Sequence, residues 1–503
     1  MNFAATQESA SGKKPVKTTN LAGGSAFKQD TKTELVSAVL TTFLAGSYYD
    51  TADTRMKRIS ELADTVAGTG ADGQRFLCKL ALYTRNRFHL RSVTHLLGAH
   101  IALLVDSHNV PEKRAFFKAL AERPDDIVQT LSAYKSLYKG QPIPSALKRG
   151  FADKLTELSA YQLGKYKGGK GNLSLIDAVN ICHPKGNEQL SALMNGTLES
   201  PETWEVLLSA AGSDPEKKSQ VWADLVNEDK LGYMAALRNL RNISKQSDEA
   251  TLDKVLNVIA DPERVAKSKQ LPFRFWSAYK VAQNEGLPRK VITALDTALD
   301  HAVANCPVLP GKTLVAVDFS GSMSASVNGR KDGTTCREIA TLLGVICGRR
   351  MEADFCYFGD DTKFHGIHPT NSVMGQMEII SGFNQNYRRP HGQSADNTHV
   401  GHGTSIASIL NRADKAYDRI LIFSDMQAWS GSVAGSLSNY IRHFDAKPYI
   451  YSVDLRGHGT SPFNTGNSKL FQLAGFSDKI FDLIGASEQG TDAMLTAIED
   501  VQL

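Results

Sequence analysis

The sequence predicts an α + α/β fold, in which a long all-helical part precedes a doubly wound α/β domain. From about residue 32 to residue 304, apolar residues recur at the spacing of amphipathic helices. From Lys312 onward, short apolar runs alternate with amphipathic segments, as strands and helices alternate around a parallel sheet. A segment rich in Pro and Gly, residues 306–311, separates the two patterns.

Length and composition indicate a folded protein of more than one domain. The chain has 503 residues, of which 42% are hydrophobic and 22% charged, values typical of globular proteins. A formal net charge of +4 is too small to identify a nucleic-acid partner. Any electrostatic argument therefore has to rest on local clusters of charge.

The cysteines and the N-terminal segment predict a cytoplasmic protein. Six cysteines lie apart without a CxxC pair, which argues against a disulfide scaffold and a tetrahedral zinc site. Residues 1–30 lack the apolar core of a signal peptide, and we expect a flexible or docked tail there. No apolar run reaches the roughly 18 residues of a membrane span, so we expect no membrane partner.

The helical part, residues 31–305, consists of amphipathic segments divided by Gly, Pro or Asn. No repeat of fixed period is visible, but paired helices over this length are typical of an irregular solenoid of HEAT-like repeats. Representative segments are FLCKLALYTR, THLLGAHIALLV, TLDKVLNVIA and KVITALDTALDHAV.

The α/β part, residues 306–503, provides strands and helices in alternation. In a doubly wound sheet the carboxyl ends of the strands border the ligand crevice, so side chains there are the first candidates for a site. The predicted strands are KTLVAVD, ADFCYFG, RILIFSD, PYIYSVDL and KIFDLIG. The predicted helices are CREIATLLGVICGRR, TSIASILNRADKA, VAGSLSNYIRHF and DAMLTAIEDV.

Three loops at predicted strand ends carry oxygen ligands for a small, hard cation. Asp318, Ser320 and Ser322 follow the first strand at i, i+2 and i+4, a spacing that lets one carboxylate and two hydroxyls converge. Thr404 opens a predicted helix, and Asp425 ends the strand RILIFSD. We predict that these five residues bind a divalent cation, with Mg²⁺ as the default and Mn²⁺ or Ca²⁺ as alternatives.

Each of these fragments also has a simpler interpretation when it is taken singly. A turn rich in Ser and Gly is more often only a turn. His399 and His402 are left out of the predicted site, because a loop histidine beside glycine is more often a surface residue. It is the order of three loops on three strand ends that favours a metal site.

A strong basic bias marks residues 132–170 of the helical part. Lysines alternate with tyrosines, a mixture that can neutralise phosphates and stack on unpaired bases. The alternative is a solvated helix face whose tyrosines lie partly in the core. The segment contains Lys135, Lys139, Lys148, Arg149, Lys154, Lys165, Lys167 and Lys170 against Asp153 and Glu157, and its tyrosines are Tyr134, Tyr138, Tyr161 and Tyr166.

Several segments together resemble the Ro autoantigen family, in bacterial or phage form. The Asp-x-Ser-x-Ser loop with Thr404 and Asp425 is similar to the metal-ion-dependent adhesion site (MIDAS) of von Willebrand A domains. The helical part resembles the TROVE module in the same order, and the resemblance extends from about residue 33 to the C-terminus. Its segments are RFLCKLALYTRNRFHLRSVTHLL, PSALKRGFADKL, LGKYKGGKGNLSLIDAVNICHPKG, MAALRNLRNI and LPFRFWSAYK.

The resemblance implies a ring of HEAT-like helices closed by the von Willebrand A-like domain. Such a protein would bind Y RNA and the 3′ ends of structured or misfolded non-coding RNA. It would act as a monomer, with an exoribonuclease such as polynucleotide phosphorylase as a partner. The RNA-binding residues that the resemblance implies are Lys165 and Lys170, the basic-segment residues Lys148, Arg149, Lys154 and Lys167, Arg91, and His183 as a Y RNA contact.

Two departures from the family pattern concern these residues. The second metal loop of the family often reads Gly-Gly-Thr-Asp, whereas here residues 401–405 read GHGTS. The GKYKGGKG segment needs a one-residue gap against the family, which bears on the match of Lys170 more than on that of Lys165.

The leading functional hypothesis is a non-catalytic, cytoplasmic RNA-binding protein that forms ribonucleoproteins and acts in RNA quality control or processing. The first alternative is a metal-dependent protein-interaction module that binds an acidic partner without RNA. The second alternative is a metal-dependent hydrolase or nuclease. The sequence disfavours it, because one cation without a positioned base is poor equipment for hydrolysis.

Overall fold

Two compact units make up the computed structural model of the chain. The first, here called the sheet unit, consists of Met1–Arg55 and Leu231–Met494, and the second, the helical unit, consists of Met56–Lys230 and Leu495–Leu503. The structure describes residues 16–42, 51–166, 173–199, 201–304, 306–327, 333–368, 370–381, 400–463, 469–476, 479–488 and 493–503.

Helices dominate the first 304 residues, as the apolar spacing predicted. None of the helices that the structure describes is long and apolar enough to cross a membrane. The helices are α1 (Thr31–Leu40), α2 (Ala52–Ala67), α3 (Ala71–Asn86), α4 (Ser92–Leu104), α5 (Lys113–Leu120), α6 (Pro124–Leu137), α7 (Ser145–Glu157), α8 (Ala160–Tyr166), α9 (Leu175–Cys182), α10 (Glu188–Met194), α11 (Trp204–Ala210), α12 (Pro215–Asn227), α13 (Tyr233–Gln246), α14 (Glu249–Ala260), α15 (Pro262–Ser268), α16 (Pro272–Asn284) and α17 (Arg289–Val303).

Side-chain caps fix where many of these helices begin. Asp214 accepts hydrogen bonds from the backbone N–H groups of Glu216 and Lys217 at the start of α12. Ser174 and Asp177 form a reciprocal capping box at α9. Because the first N–H groups of a helix have no intrahelical acceptor, such caps satisfy them and define the boundary.

The remaining chain supplies strands and further helices. The strands, in chain order, are β1 (Lys17–Thr19), β2 (Ser25–Lys28), β3 (Thr313–Asp318), β4 (Asp354–Phe358), β5 (Thr362–His365), β6 (Arg419–Ser424), β7 (Tyr449–Asp454), β8 (Thr460–Ser461) and β9 (Leu470–Ala474). The helices are α18 (Cys336–Met351), α19 (Val373–Ser381), α20 (Ile406–Arg412), α21 (Val433–Phe444), α22 (Ile480–Ser487) and α23 (Ala493–Glu499).

A six-stranded sheet with the order β5-β4-β3-β6-β7-β9 confirms the predicted α/β part. Strand β3 pairs in parallel with β4 on one side and with β6 on the other, so that Ala316 lies opposite both Cys356 and Ile422. The chain order therefore reverses between β3 and β6, which is the switch point where such sheets place their ligands. Only the edge strand β5 is antiparallel.

One predicted strand is wrong, because KIFDLIG forms helix α22. Its buried residues Ile480, Phe481, Leu483 and Ile484 have the spacing of one helix face. The strand beside β7 is instead β9, which the sequence analysis missed. A short apolar run fits either a strand or a buried helix, and only the available place in the sheet separates the two.

The N-terminal segment contributes structure to the sheet unit from residue 16 onward. Strands β1 and β2 form an antiparallel hairpin, and β2 pairs with β8. The end of α1 lies close to Gly457. A Cβ atom at Gly457 would lie 2.5 Å from the Thr41 hydroxyl. Gly457 also has a φ of +66°, which favours glycine.

One carboxylate joins α16 to α18 inside the sheet unit. Glu338 forms a capping box with Thr335 at the start of α18. It accepts a hydrogen bond of 3.1 Å from the Trp276 indole and forms a 2.8 Å ion pair with Lys280. Helices α13–α17 thus share a compact unit with the sheet, although the sequence pattern changes near residue 306.

We expect Glu338→Ala to destabilise the sheet unit by about 3 kcal/mol or more, because it removes the carboxylate that pairs with the Lys280 ammonium in a site that is only 12% exposed. Thermal or urea unfolding measures the loss. The matched control is Glu285→Ala, which removes the more exposed partner of Arg241 and Lys245 and should change stability by less than about 1 kcal/mol. Equal effects of the two variants would contradict the role given to Glu338.

Candidate metal centre and nucleic-acid interface

The predicted metal ligands gather at the switch point of the sheet. Asp318 is the last residue of β3, and Asp425 follows directly after β6. The two strands are parallel neighbours, with Val317 opposite Phe423. The two carboxylates therefore leave the sheet at the same edge, about 100 residues apart in sequence.

Backbone hydrogen bonds bring the third predicted loop to the same place. The Gly321 N–H donates to the His402 carbonyl at 3.1 Å, and the Trp429 N–H donates to the Thr404 carbonyl at 3.2 Å. The loop before α20 is thereby attached to the loop after β3 and to the loop after β6. The structure thus brings together the three loops that carry all five predicted metal-binding residues.

Hydroxyl and amide donors surround the Asp318 carboxylate. One oxygen accepts the Ser320 N–H at 2.8 Å, and the other accepts the Ser424 hydroxyl at 2.5 Å. The hydroxyls of Ser320 and Ser322 lie 3.3 Å apart. All of these side chains are buried.

The electrostatics of the two carboxylates suit a cation between them. Burial raises the pKa of Asp318, and the negative charge of Asp425 raises it further. Burial also raises the pKa of Asp425, against the opposing effect of Ser322. The Asp425 Oδ2 atom is buried and has no hydrogen-bond partner in the described part of the chain. A divalent cation would supply the missing partner and neutralise the pair, so the residues fit the predicted ion.

The donor set also narrows the kind of metal. Among the described residues, no three His, Cys, Asp or Glu side chains gather in a way that could hold a metal ion. The centre instead offers the Asp318 and Asp425 carboxylates and the hydroxyls of Ser320 and Ser322, beside the loop that carries Thr404. Oxygen-only sites with few charges are typical of Mg²⁺, which keeps several of its water ligands.

The GHGTS loop has a physical reason for its two glycines. A Cβ atom at either Gly401 or Gly403 would overlap the Asp360 carboxylate, and Gly401 has a φ of +84°. His402 contributes its backbone carbonyl to Gly321. The other histidine considered in the sequence analysis, His399, lies outside the described residues.

Arg337 on α18 is a residue of this centre that the sequence analysis missed. Its guanidinium donates to the backbone carbonyls of Phe319 and Ser320, each at 2.9 Å, and lies over the Phe319 ring. It therefore holds the Asp-x-Ser-x-Ser loop in shape. The sequence contains no local signal for this role, because Arg337 follows the loop by more than a dozen residues.

In the helical unit, the acids of α7 are engaged by the neighbouring helix α5. Arg114 binds the Asp153 carboxylate through two hydrogen bonds of 2.7 and 2.8 Å. Lys118 pairs with Glu157 at 2.5 Å. Within the described residues, no ion pair is formed by the predicted RNA-binding residues of the same helix, Lys148, Arg149 and Lys154.

The next helix, α8, carries one predicted RNA-binding lysine and one exposed aromatic ring. The Lys165 ammonium lies 5.9 Å from the ring centre of Tyr161, whose side chain is 55% exposed. Tyr134, in contrast, is fully buried, and Tyr138 bonds to His100 inside the unit. The structure thus places Tyr134 in the core, leaves Tyr138 half-buried and leaves Tyr161 as an exposed ring. Two further predicted residues, Lys167 and Lys170, lie outside the described residues.

His183 lies at the end of α9 in a left-handed conformation. Its φ is 51° and its ψ 58°, its backbone N–H donates to the Val179 carbonyl at 2.9 Å, and its side chain is exposed. Burial raises the pKa of the adjacent Cys182 thiol to about 12, and the positive charge of Lys148 opposes this rise. Lys148 is therefore a neighbour of this helix end. Two predicted RNA-binding residues on different helices thus share one neighbourhood.

Arg91 is held differently from the other predicted RNA-binding residues. Its guanidinium bonds to Asp125 at 2.5 Å and to Asp126 at 3.0 Å. Asp126 also accepts from Arg85 and from His95. Burial opposes ionisation of Asp126, but His95, Arg85 and Arg91 together hold its pKa well below the usual range. Arg91 therefore has a structural role in this cluster, whatever its contribution to RNA binding.

The first part of the chain matches a known protein family. Residues 24–194 and 194–290, together more than half of the chain, match the model of the TROVE domain. A rat protein named telomerase protein component 1 is 24% identical over 318 residues, which is 46% of this chain and 12% of the rat protein. RNA-binding protein RO60 of Deinococcus radiodurans is 25% identical over 280 residues, 52% of this chain and 50% of that protein.

The overall fold is also similar to a solved structure. The crystal structure of the Deinococcus radiodurans Ro protein matches 94% of this chain and 100% of its own, with a TM-score of 0.57 and 19% identity. At this identity the likeness concerns the fold alone. The chain spans only half or less of the length of the two relatives compared by sequence.

We expect Arg91→Ala to lower the free energy of unfolding by about 2 kcal/mol at neutral pH, because Asp126 loses a charged donor in a buried site. Since the folded pKa of Asp126 is depressed, this contribution is complete above the unfolded value near 3.9 and is lost as the pH falls below it. The difference between variant and wild type should therefore be constant from about pH 7 to 5 and shrink below about pH 4.

Urea unfolding at several pH values measures this difference. The matched control is Arg149→Ala, whose side chain is exposed and should change stability by less than about 0.5 kcal/mol. If Arg91→Ala is as silent as the control, the structural role of Arg91 is wrong.

Proposed function

Because this chain belongs to the TROVE-domain family, we propose that it is an RNA-binding protein whose helical unit contacts the phosphate backbone. The Deinococcus relative is an RNA-binding protein by name. The observation that carries the proposal for this chain is the charge arrangement on α7. Its acids pair with α5, so Lys148, Arg149 and Lys154 present positive charge that no described acid neutralises.

A basic surface of this kind favours nucleic acid by counterion release and by direct phosphate contacts. His183 adds a hydrogen-bonding group at the end of α9, which packs against α7, and Tyr161 adds an exposed ring near Lys165. Such groups contact unpaired bases, which is how most proteins recognise RNA other than regular duplex. We extend the proposal to Y RNA and to the single-stranded 3′ ends of structured or misfolded RNA, in RNA quality control in the cytoplasm.

The metal centre has a second part in the proposal. Asp318, Ser320, Ser322, Thr404 and Asp425 would hold Mg²⁺, and the bound ion would supply an open coordination position for an oxygen ligand. A carboxylate of a protein partner, such as an exoribonuclease, suits that position. The burial of Asp318 and Asp425 would keep these two ligand carboxylates away from bulk water.

We propose that the chain acts without catalysis of its own. The guanidiniums of Arg337 and Arg456 act on the charges of Asp318 and Asp425, and neither guanidinium can act as a general base. The metal centre thus favours partner recruitment over hydrolysis. Incubation of labelled RNA with Mg²⁺ or Mn²⁺ decides the point: turnover abolished by Asp318→Ala would overturn it.

The triple variant Lys148→Ala/Arg149→Ala/Lys154→Ala should weaken RNA binding at least ten-fold at low salt. If each side chain contacts one phosphate of a single strand, the slope of log affinity against log salt should also fall by about 2. A titration of a structured RNA with and without a single-stranded 3′ tail, at two salt concentrations, measures both quantities. Tighter binding of the tailed RNA is the expected result for the wild type.

A matched control removes three lysines that are already ion-paired, Lys217, Lys230 and Lys267. This variant lowers the net charge by the same amount but should change affinity far less. Equal losses in both variants would mean that binding follows total charge, and unchanged binding in the first would refute the α7 surface.

Addition of Mg²⁺ should raise the unfolding temperature of the sheet unit, by a stabilisation of about 2.7 kcal/mol at a hundred times the dissociation constant. Asp425→Asn should abolish that response. Without metal the same variant should be at least as stable as the wild type, because it removes one of two buried like charges. The protein should be tested after chelation and again with Mg²⁺, and a Mg²⁺ response that persists in Asp425→Asn would exclude this site.

A further inference from the structure

The loop that carries Asp425 is clamped by the N-terminal hairpin of the chain. The Asn20 side-chain amide donates to the Ala428 carbonyl at 2.5 Å, and the Leu21 N–H donates to the Gln427 side-chain oxygen at 2.7 Å. Both contacts join residues more than 400 positions apart within the sheet unit.

The turn of the hairpin packs closely against this loop at Gly24. A Cβ atom at Gly24 would lie 2.5 Å from the Trp429 Cα atom and would overlap the Ala428 carbonyl. Asn20 stiffens the turn from within, because its side-chain oxygen accepts the N–H groups of Ala22 and Gly24. Asn20 is only 7% exposed, so the contact excludes water.

Gln427 passes this contact on to the metal centre. Its side-chain amide donates to the Asp425 carbonyl at 3.2 Å, and its backbone N–H donates to Asp425 Oδ1 at 3.3 Å. One carboxylate oxygen is therefore held by the loop, while Oδ2 has no partner among the described residues. Gln427 is fully buried, and the Leu21 N–H fixes the orientation of its amide.

A second connection reaches the other metal loop. Trp429, whose Cα atom faces Gly24, donates its backbone N–H to the Thr404 carbonyl. The hairpin thus contacts the loop segment 427–429, which in turn is bonded to Asp425 on one side and to Thr404 on the other.

We infer that residues 20–24 and Gln427 are positioning residues of the metal centre, so that cation binding and docking of the N-terminal hairpin stabilise each other. The inference rests on the proposed metal site and adds to it a structural role for the N-terminus. Such coupling is reciprocal. Docking of the hairpin must raise the affinity for the metal by the same factor by which metal binding favours the docked hairpin. Removal of a group that hydrogen-bonds to a metal ligand and orients it typically weakens metal affinity by about 10- to 100-fold.

The test uses two substitutions at one residue. Residues 20–23 form a turn in which the Gly23 N–H donates to the Asn20 carbonyl, with Leu21 at the second position. Proline is compatible with that position but has no N–H, so Leu21→Pro removes the donor of the bond to Gln427. Leu21→Ala keeps the N–H and changes a side chain that is 57% exposed, which makes it the matched control.

The full-length wild type, Leu21→Pro, Leu21→Ala and Gln427→Ala should be titrated with Mn²⁺, with free ion followed by electron paramagnetic resonance. We expect roughly ten-fold weaker binding in Leu21→Pro and Gln427→Ala and wild-type affinity in Leu21→Ala. Hydrogen exchange should show slower exchange of the amides of residues 20–24 when Mg²⁺ is added to the wild type, and a smaller effect in Gln427→Ala.

The outcomes separate this inference from the proposed metal site. If the wild type binds Mn²⁺ and Leu21→Pro binds it equally well, with exchange at residues 20–24 unaffected by metal, the metal site stands and the coupling is refuted. If the wild type binds no Mn²⁺, both fail together. A loss in Leu21→Ala equal to that in Leu21→Pro would also refute the assigned bond.

Discussion

The burial of two carboxylates side by side, Asp318 and Asp425, is the constraint on which the functional edge of the sheet unit depends. Each loses its hydration, and each raises the cost of ionising the other. Hydroxyl and amide donors satisfy part of this demand, but one oxygen of Asp425 is left without a partner among the described residues. A proton shared by the two carboxylates or a bound cation would relieve this cost, so the edge suits the cation that we propose.

The same electrostatic rule has the opposite outcome in the helical unit. The buried Asp126 carboxylate accepts hydrogen bonds from two guanidiniums and an imidazole, so that its charge is neutralised inside the fold. On α7 the acids instead form ion pairs with side chains of α5. The cationic side chains of α7 therefore remain available to solvent or to a ligand. Clusters of acids and bases can therefore make either a structural cluster or a binding surface. The geometry of pairing decides which one forms.

The family module and the compact units do not coincide, and the packing explains why. The TROVE match covers residues 24–194 and 194–290, whereas the sheet unit includes Met1–Arg55 and Leu231–Met494. Glu338 attaches α16 to the α/β part, and α1 packs against Gly457. A stretch that matches one module in sequence is thus divided in the fold, because α1 packs against strand β9 while α16 and α17 pack against helices α18 and α19.

By itself the sequence determined the class of most secondary-structure elements, the alternation of strands and helices after Lys312 and the five metal-binding candidates, because periodicity and strand-end position are local properties. It also located the basic segment around Lys148 and Arg149. Only the tertiary structure decided that KIFDLIG is a helix, that Tyr134 lies in the core, that Arg91 is bound by acids, and that Arg337 and Gln427 support the metal loops. Each of these depends on a partner distant along the chain, and residue spacing carries no information about which distant groups meet once the chain has folded.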